Sequence, residues 1–72
     1  MMQFSIKTDI NISIKDIADE LITIEGEKFI EDYGNLDVKY KIDGNLLAIE
    51  GNDIQVLRFA AAIIEELKRQ RV

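Results

Sequence analysis

Three features of this 72-residue chain predict an α+β fold. It should have two layers, a three-stranded antiparallel sheet with two helices on one face, in the order β-α-β-β-α. Apolar and polar residues alternate near the N-terminus, a second alternating run doubles back at Asp43-Gly44, and two other stretches switch to helical spacing. Alternation marks half-buried strands, a repeat near 3.6 marks amphipathic helices, and strands joined by a tight turn make an antiparallel hairpin. The length fits one small domain spanning 1–72.

From Gln3 to Thr8, Phe4, Ile6 and Thr8 point one way and Ser5 and Lys7 the other, as in a half-buried strand. The alternation runs on through Ile10 and Ile12. Near Ser13 the period changes. Ile14, Ile17, Ala18, Leu21 and Ile22 recur at helical spacing behind Ser13 as N-cap, with Asp16 in the third helical position. This predicts a helix over 14–23, with Asp19 and Glu20 facing water. Gly26 then interrupts the pattern. Phe29, Ile30 and Tyr33 suggest a short amphipathic turn closed by Gly34, or an ordered loop.

Glu25, Glu27, Glu31 and Asp32 cluster in that segment around Lys28. Paired carboxylates can transfer protons or hold a divalent cation. The plainer expectation is a solvated acidic face.

Leu36, Val38, Tyr40 and Ile42 alternate with Asp37, Lys39 and Lys41 before Asp43-Gly44, a two-residue hairpin turn. Closing on that pair sets Tyr40 opposite Leu47, Val38 opposite Ile49 and Asp37 opposite Glu50. Tyr40, Leu47, Val38 and Ile49 then share the core face. The other face is mixed, and one strand edge is expected to be open to another chain.

The last third reads as a single helix from Asn52 to Arg71. Asn52 is the N-cap, and Gln55 is placed to reach back to it in a capping box. Asp53 lies in the first turn and Lys68, Arg69 and Arg71 in the last, as the helix dipole favours. Val56, Ala60, Ile63 and Leu67 form one stripe, flanked by Leu57, Ala61 and Ile64 on one side and Phe59 on the other. This apolar arc covers roughly 200°, against little more than about 100° for a helix lying on one core. A thin sheet leaves part of it to be covered, by loops of the same chain or, the favoured expectation, by a partner.

The chain has no Cys and no His, 14 acidic and 9 basic residues, and a formal net charge of −5. That removes the usual zinc sites, a disulfide framework and any nucleophile–histidine pair. No cofactor, metal or catalytic residue is expected, and the protein is not expected to be an enzyme. The acidic balance disfavours strong independent nucleic-acid binding. Without a membrane-spanning run or a signal-peptide layout, a cytoplasmic protein that does not meet the membrane is expected.

The run from Asn35 to Glu50, followed by that from Asp53 to Lys68, resembles the small dimerising subunit of the KEOPS complex. That family has the same order of elements, and its second helix opens with an acidic residue, then Leu-Arg, a bulky apolar residue, small residues and paired aliphatics. Asp53, Leu57, Arg58, Phe59, Ala60 and Ile63-Ile64 occupy those places here. The chain lacks the Pro that often follows the family's first helix, and it has alanines where many archaeal members carry Asn-Ser. Both departures fit a divergent paralogue.

The resemblance implies a non-catalytic role in an assembly that installs threonylcarbamoyl-adenosine on transfer RNA, with the chemistry in a separate ATP- and metal-dependent transferase subunit. It implies a homodimer, or a heterodimer with a paralogue, that docks on the transferase through its helices and meets transfer RNA only within the complex. Leu57, Arg58, Phe59, Ala62, Ile63 and Glu66 are the candidate partner-interface residues, with Arg58 either an interface ion-pair residue or a solvated charge. The competing reading is a KH-like RNA-binding module. In that case Lys7, Lys39 and Lys41 on the open sheet face would contact RNA, although the Gly-x-x-Gly loop of such modules is missing.

Overall fold

The computed structural model describes residues 1–9 and 11–70. The expectations that fall on Ile10 and Arg71 lie outside them. The elements are β1 (Met2–Lys7), α1 (Ile14–Tyr33), β2 (Val38–Asp43), β3 (Leu46–Gly51) and α2 (Asp53–Gln70). The three strands form one antiparallel sheet in the order β1-β3-β2, with β3 in the middle. The predicted β-α-β-β-α fold is the one observed.

The helix before the hairpin is much longer than 14–23. It continues through Gly26 to Tyr33, because Ile14, Ile17, Ala18 and Phe29 are buried along one continuous side. Packing along that side outweighs the cost of one interior glycine, about 1 kcal/mol relative to Ala. Ser13 caps the start by accepting from the Asp16 N–H at 3.4 Å, and Gly34 closes the end by donating its N–H to the Ile30 carbonyl at 2.9 Å. The acidic segment Glu25 to Asp32 is therefore part of a helix and not a connection.

The hairpin turns one residue later than expected. Asp43 pairs with Leu46, Ile42 with Leu47 and Tyr40 with Ile49, so the turn is Gly44-Asn45. Gly44 has φ 62°, and among the described residues no non-glycine residue has positive φ. A turn with Gly in its first central place needs a left-handed residue only there, whereas Asp43-Gly44 would force Asp43 into it as well. The same core-facing residues are kept. On the outer face the shift replaces the like-charge pairing of Asp37 with Glu50 by Lys39 opposite Glu50. Asn45 is held in place from β1, its carbonyl accepting from the Thr8 N–H at 2.9 Å and its side-chain amide donating to the Thr8 carbonyl.

Gly51, at the end of β3, has φ 147°, and a Cβ there would lie 2.1 Å from the Asp37 carbonyl oxygen. Only glycine permits this approach. It lets the Asn52 N–H donate to that same carbonyl at 2.9 Å, which fixes where α2 begins.

The core lies between the sheet and the helices. Leu47 and Ile49 from β3 meet Ile14, Ile17, Ala18 and Phe29 from α1 and Val56, Phe59, Ala60 and Ile63 from α2. α2 packs against β1 and β3, and α1 against α2 and β3. The opposite face of the sheet is left uncovered by either helix.

Candidate docking surfaces

α2 presents three different surroundings around its circumference. Val56, Phe59 and Ile63 are 0% exposed. The expectation that this stripe needs an outside partner is overturned: a 20-residue α1, about 30 Å long at 1.5 Å per residue, lies beside α2 and helps the sheet to cover it. Phe59 and Ile63 are core residues here, not available surface.

The second surrounding is the seam with α1. Gln55 is buried, its side-chain oxygen accepting from the Asp37 N–H at 2.7 Å and its amide donating to the Asn35 carbonyl at 3.2 Å. It does not complete a capping box. Asn52 caps α2 alone, accepting from the N–H groups of Ile54 and Gln55 at 3.1 and 3.3 Å.

One turn further, Arg58 Nη1 donates to Asp32 Oδ2 at 3.0 Å and to the Tyr33 hydroxyl at 2.8 Å. The guanidinium also stacks over Phe29 and Tyr33, 5.4 and 5.5 Å from the ring centroids. The hydrogen bond with Tyr33, then that with Asp32, raises the already high pKa of the guanidinium, so it stays charged. Ala62 and Glu66 continue this ridge, half-buried. Tyr33 and Ile30 expose apolar surface on the α1 side.

The third surrounding is solvent. Ile54 is 56% exposed, Leu57 53% and Ile64 37%, and with exposed Ala61 they form one stripe on the outer side of α2, beside Arg58 and turned away from the core. At about 100° per residue, Leu57 lies roughly a quarter-turn from Arg58. The six residues expected to form one partner interface thus divide among the core (Phe59, Ile63), the α1 seam (Arg58, Ala62, Glu66) and the outer stripe (Leu57). Ile54 was absent from the sequence-derived flank, although its angle along the helix places it with Leu57 and Ala61.

Lys7, Lys39 and Lys41 all project from the uncovered sheet face, at the positions paired with Leu46, Glu50 and Ala48 respectively. A shallow depression of about 350 Å³ crosses this face between Ser5, Lys39, Lys41, Ala48 and Glu50. Glu50 accepts from the Gln3 amide at 3.4 Å. Of the three lysines only Lys39 and Lys41 border this depression, with the Glu50 carboxylate among its lining, so the patch is at most weakly cationic.

The acidic residues of α1 are dispersed. Glu25 pairs with Lys28 at 3.7 Å and Asp32 with Arg58, and among the described residues no group of three or more acidic, His or Cys side chains is placed to hold a metal. No helix among the described residues is long and apolar enough to cross a membrane.

The fold and these surfaces define the class, a small two-layer α+β domain with one bare sheet face and an apolar stripe on its outer helix. No protein-family model, curated protein or solved structure gives a significant match to this chain.

Proposed function

We propose that the protein is a non-catalytic small subunit of a KEOPS-type transfer-RNA modification complex in the cytoplasm, a dimerising module that docks on the catalytic transferase subunit through its helices. The reading rests on the resemblance of residues 35–68 and is supported by the element order. The observation that carries the docking half is the α1–α2 seam, where Arg58 is held in a fixed pose between Asp32, Tyr33 and Phe29. Beside it the half-buried Ala62 and Glu66 and the exposed Ile30 and Tyr33 offer a mixed apolar and polar ridge. A fixed guanidinium flanked by apolar surface is the kind of anchor on which helix-to-helix interfaces are built.

The test is co-purification with the candidate transferase. Ile30→Asp and Ala62→Arg should abolish it while leaving the far-UV circular dichroism of the free protein unchanged. Undiminished assembly of both variants would remove the reading.

A KH-like RNA-binding role is the second reading, favoured by the three lysines on the bare sheet face. It predicts that the isolated protein binds RNA with affinity falling steeply as salt rises, and that Lys39→Ala/Lys41→Ala weakens this binding. The proposed subunit role predicts no such binding outside the complex.

A further inference from the structure

We infer that the open edge of β2 takes up an extended segment of another protein as a fourth strand, a segment in which acidic residues alternate with apolar ones. β2 lies at the edge of the sheet and pairs only with β3. Asp43 and Leu46 flank a two-residue turn. They therefore form a hydrogen-bonded pair, and such pairs alternate along an antiparallel ladder. Lys41 and Lys39 thus direct their backbone groups at β3, while the N–H and C=O groups of Val38, Tyr40 and Ile42 point outward. Among the described residues no other backbone group pairs with them. A strand added at the usual spacing of about 4.8 Å meets its hydrogen-bond partners there.

The side chains define the occupant. Lys39 and Lys41 are exposed, two residues apart on the bare face of the sheet. Lys39 lies across from Glu50, yet among the described residues neither lysine has a carboxylate within ion-pairing distance. By contrast, Lys15, Lys28, Arg58, Lys68 and Arg69 on the helices are all paired within the chain. Two free ammonium groups at this spacing match two acidic residues at the same spacing on a neighbouring strand. Asp43, next on that face, calls for a basic residue. An antiparallel occupant therefore reads basic, apolar, acidic, apolar, acidic, apolar as it passes positions 43 to 38. Its apolar residues extend the core-side row of Val38, Tyr40 and Ile42. Tyr40 and Ile42 are only half-buried, whereas Leu47 and Ile49 on the middle strand are sealed.

The same lysines reject other strands. Self-pairing of β2 centred on Tyr40 sets Lys39 against Lys41, and like charges directly opposite disfavour it. A basic strand meets the same repulsion, so the edge selects by charge as well as by backbone. β1, at the other edge, carries neutral Gln3 and Ser5 on the outer face, with Lys7 only at its end. It has no such pattern to read.

This surface is separate from the α1–α2 seam and goes beyond the subunit role, requiring neither the transferase nor RNA. The experiment is a nuclear magnetic resonance titration of the full chain with the peptide acetyl-Thr-Lys-Val-Glu-Val-Glu-Val-Thr-amide, followed by amide hydrogen exchange. The N–H groups of Val38, Tyr40 and Ile42 should gain protection, and those of Gln3, Ser5 and Lys7 should not. The peptide with both glutamates replaced by lysine should bind about tenfold more weakly. Lys39→Glu/Lys41→Glu should reverse that preference. Lys39→Gln/Lys41→Gln, which sets no like charge against Glu50, should erase it. Circular dichroism checks the fold of both variants. The proposal is overturned by equal binding of the two peptides to the native protein, by protection that builds on β1 instead, or by unchanged exchange at all three β2 amides with millimolar peptide.

Discussion

The Tyr40 hydroxyl donates a 2.6 Å hydrogen bond to Asp19, tying the middle of β2 to the first half of α1. Lys15 holds the same carboxylate from its other oxygen at 2.7 Å. Asp19 faces water, as helical spacing implies, with its side chain 46% exposed, and it is also a tether. Its pKa is lowered, first by the hydrogen bond from Lys15 and then by that from Tyr40. Burial, followed by the bond to Asp19, pushes Tyr40 up to about 12.

The sign of the pH effect follows from these two directions. A tyrosine whose pKa rises on folding stabilises the fold fully below its unfolded value, near 10, and loses that contribution as pH climbs towards about 12. A carboxylate whose pKa falls on folding contributes above its ordinary range and loses the contribution as pH drops through the folded value. The stability gap between the native protein and Tyr40→Phe should therefore be widest near neutrality and close at both extremes. Urea titrations of the two proteins across pH check this, and a gap that is constant with pH would show that the hydrogen bond contributes nothing.

Phe59 and Ile63 sit at the centre of the core with no exposed surface, so changes there act on folding before they act on any partner. Phe59→Ala should cost about 3–5 kcal/mol and Ile63→Ala about 2–5 kcal/mol, large fractions of what so small a domain has. Leu57→Ala, two residues before Phe59 but half exposed, should cost under about 1 kcal/mol. Chemical denaturation of the three variants separates core from surface. Similar losses at all three would contradict the assignment of faces on α2.

The order of elements was legible because it depends on periodicity, and periodicity is local. Ser13 and Asn52 as helix starts and Gly34 as a helix end were legible for the same reason. What covers the apolar arc of α2 was not, since it depends on an element thirty residues away. An α1 that ends at Thr23 cannot run the length of α2 and leaves the arc to loops or to a partner. Extending α1 through Gly26 supplies that cover for Phe59 and Ile63 but not for Leu57 and Ile64. The hairpin register was missed by one residue because Asp43-Gly44 and Gly44-Asn45 are both good turn pairs. The choice is settled by the three hydrogen bonds between Asn45 and Thr8, which come from the opposite end of the sequence.

Gln55 shows how one residue can suit a local motif and serve a distant one. Its side chain is spent on the β2 approach, satisfying the Asp37 N–H and the Asn35 carbonyl, and not on Asn52. Gln55→Leu keeps the volume but leaves two part-buried backbone groups unpaired, for a loss of about 2 kcal/mol. Amide hydrogen exchange gives a sharper readout. The Asp37 N–H should lose protection in Gln55→Leu while amides in the middle of β3 keep theirs relative to global stability. Unchanged protection at Asp37 would mean that the hydrogen bond is not what orders this connection.

Gly26 offers a test in which the expected sign is favourable. It lies in the interior of α1, where replacing glycine by alanine gains about 1 kcal/mol of helix propensity and restricts the unfolded chain. The opposing term is steric: a Cβ at this position meets Leu36 Cδ2 at 3.4 Å and Cδ1 at 3.8 Å, and no other side chain or distant backbone within 4 Å. Those are ordinary van der Waals distances to the far end of a side chain that is 42% exposed and free to rotate outward. The propensity gain should win, so Gly26→Ala is expected to raise stability by about 0.5–1 kcal/mol and the thermal midpoint by a few degrees. Gly26→Leu reverses the balance, because its added atoms must displace Leu36 and the chain leading into β2. A destabilised Gly26→Ala would mean that Leu36 is held more firmly than its exposure implies, and that the α1–β2 connection is a packed part of the fold.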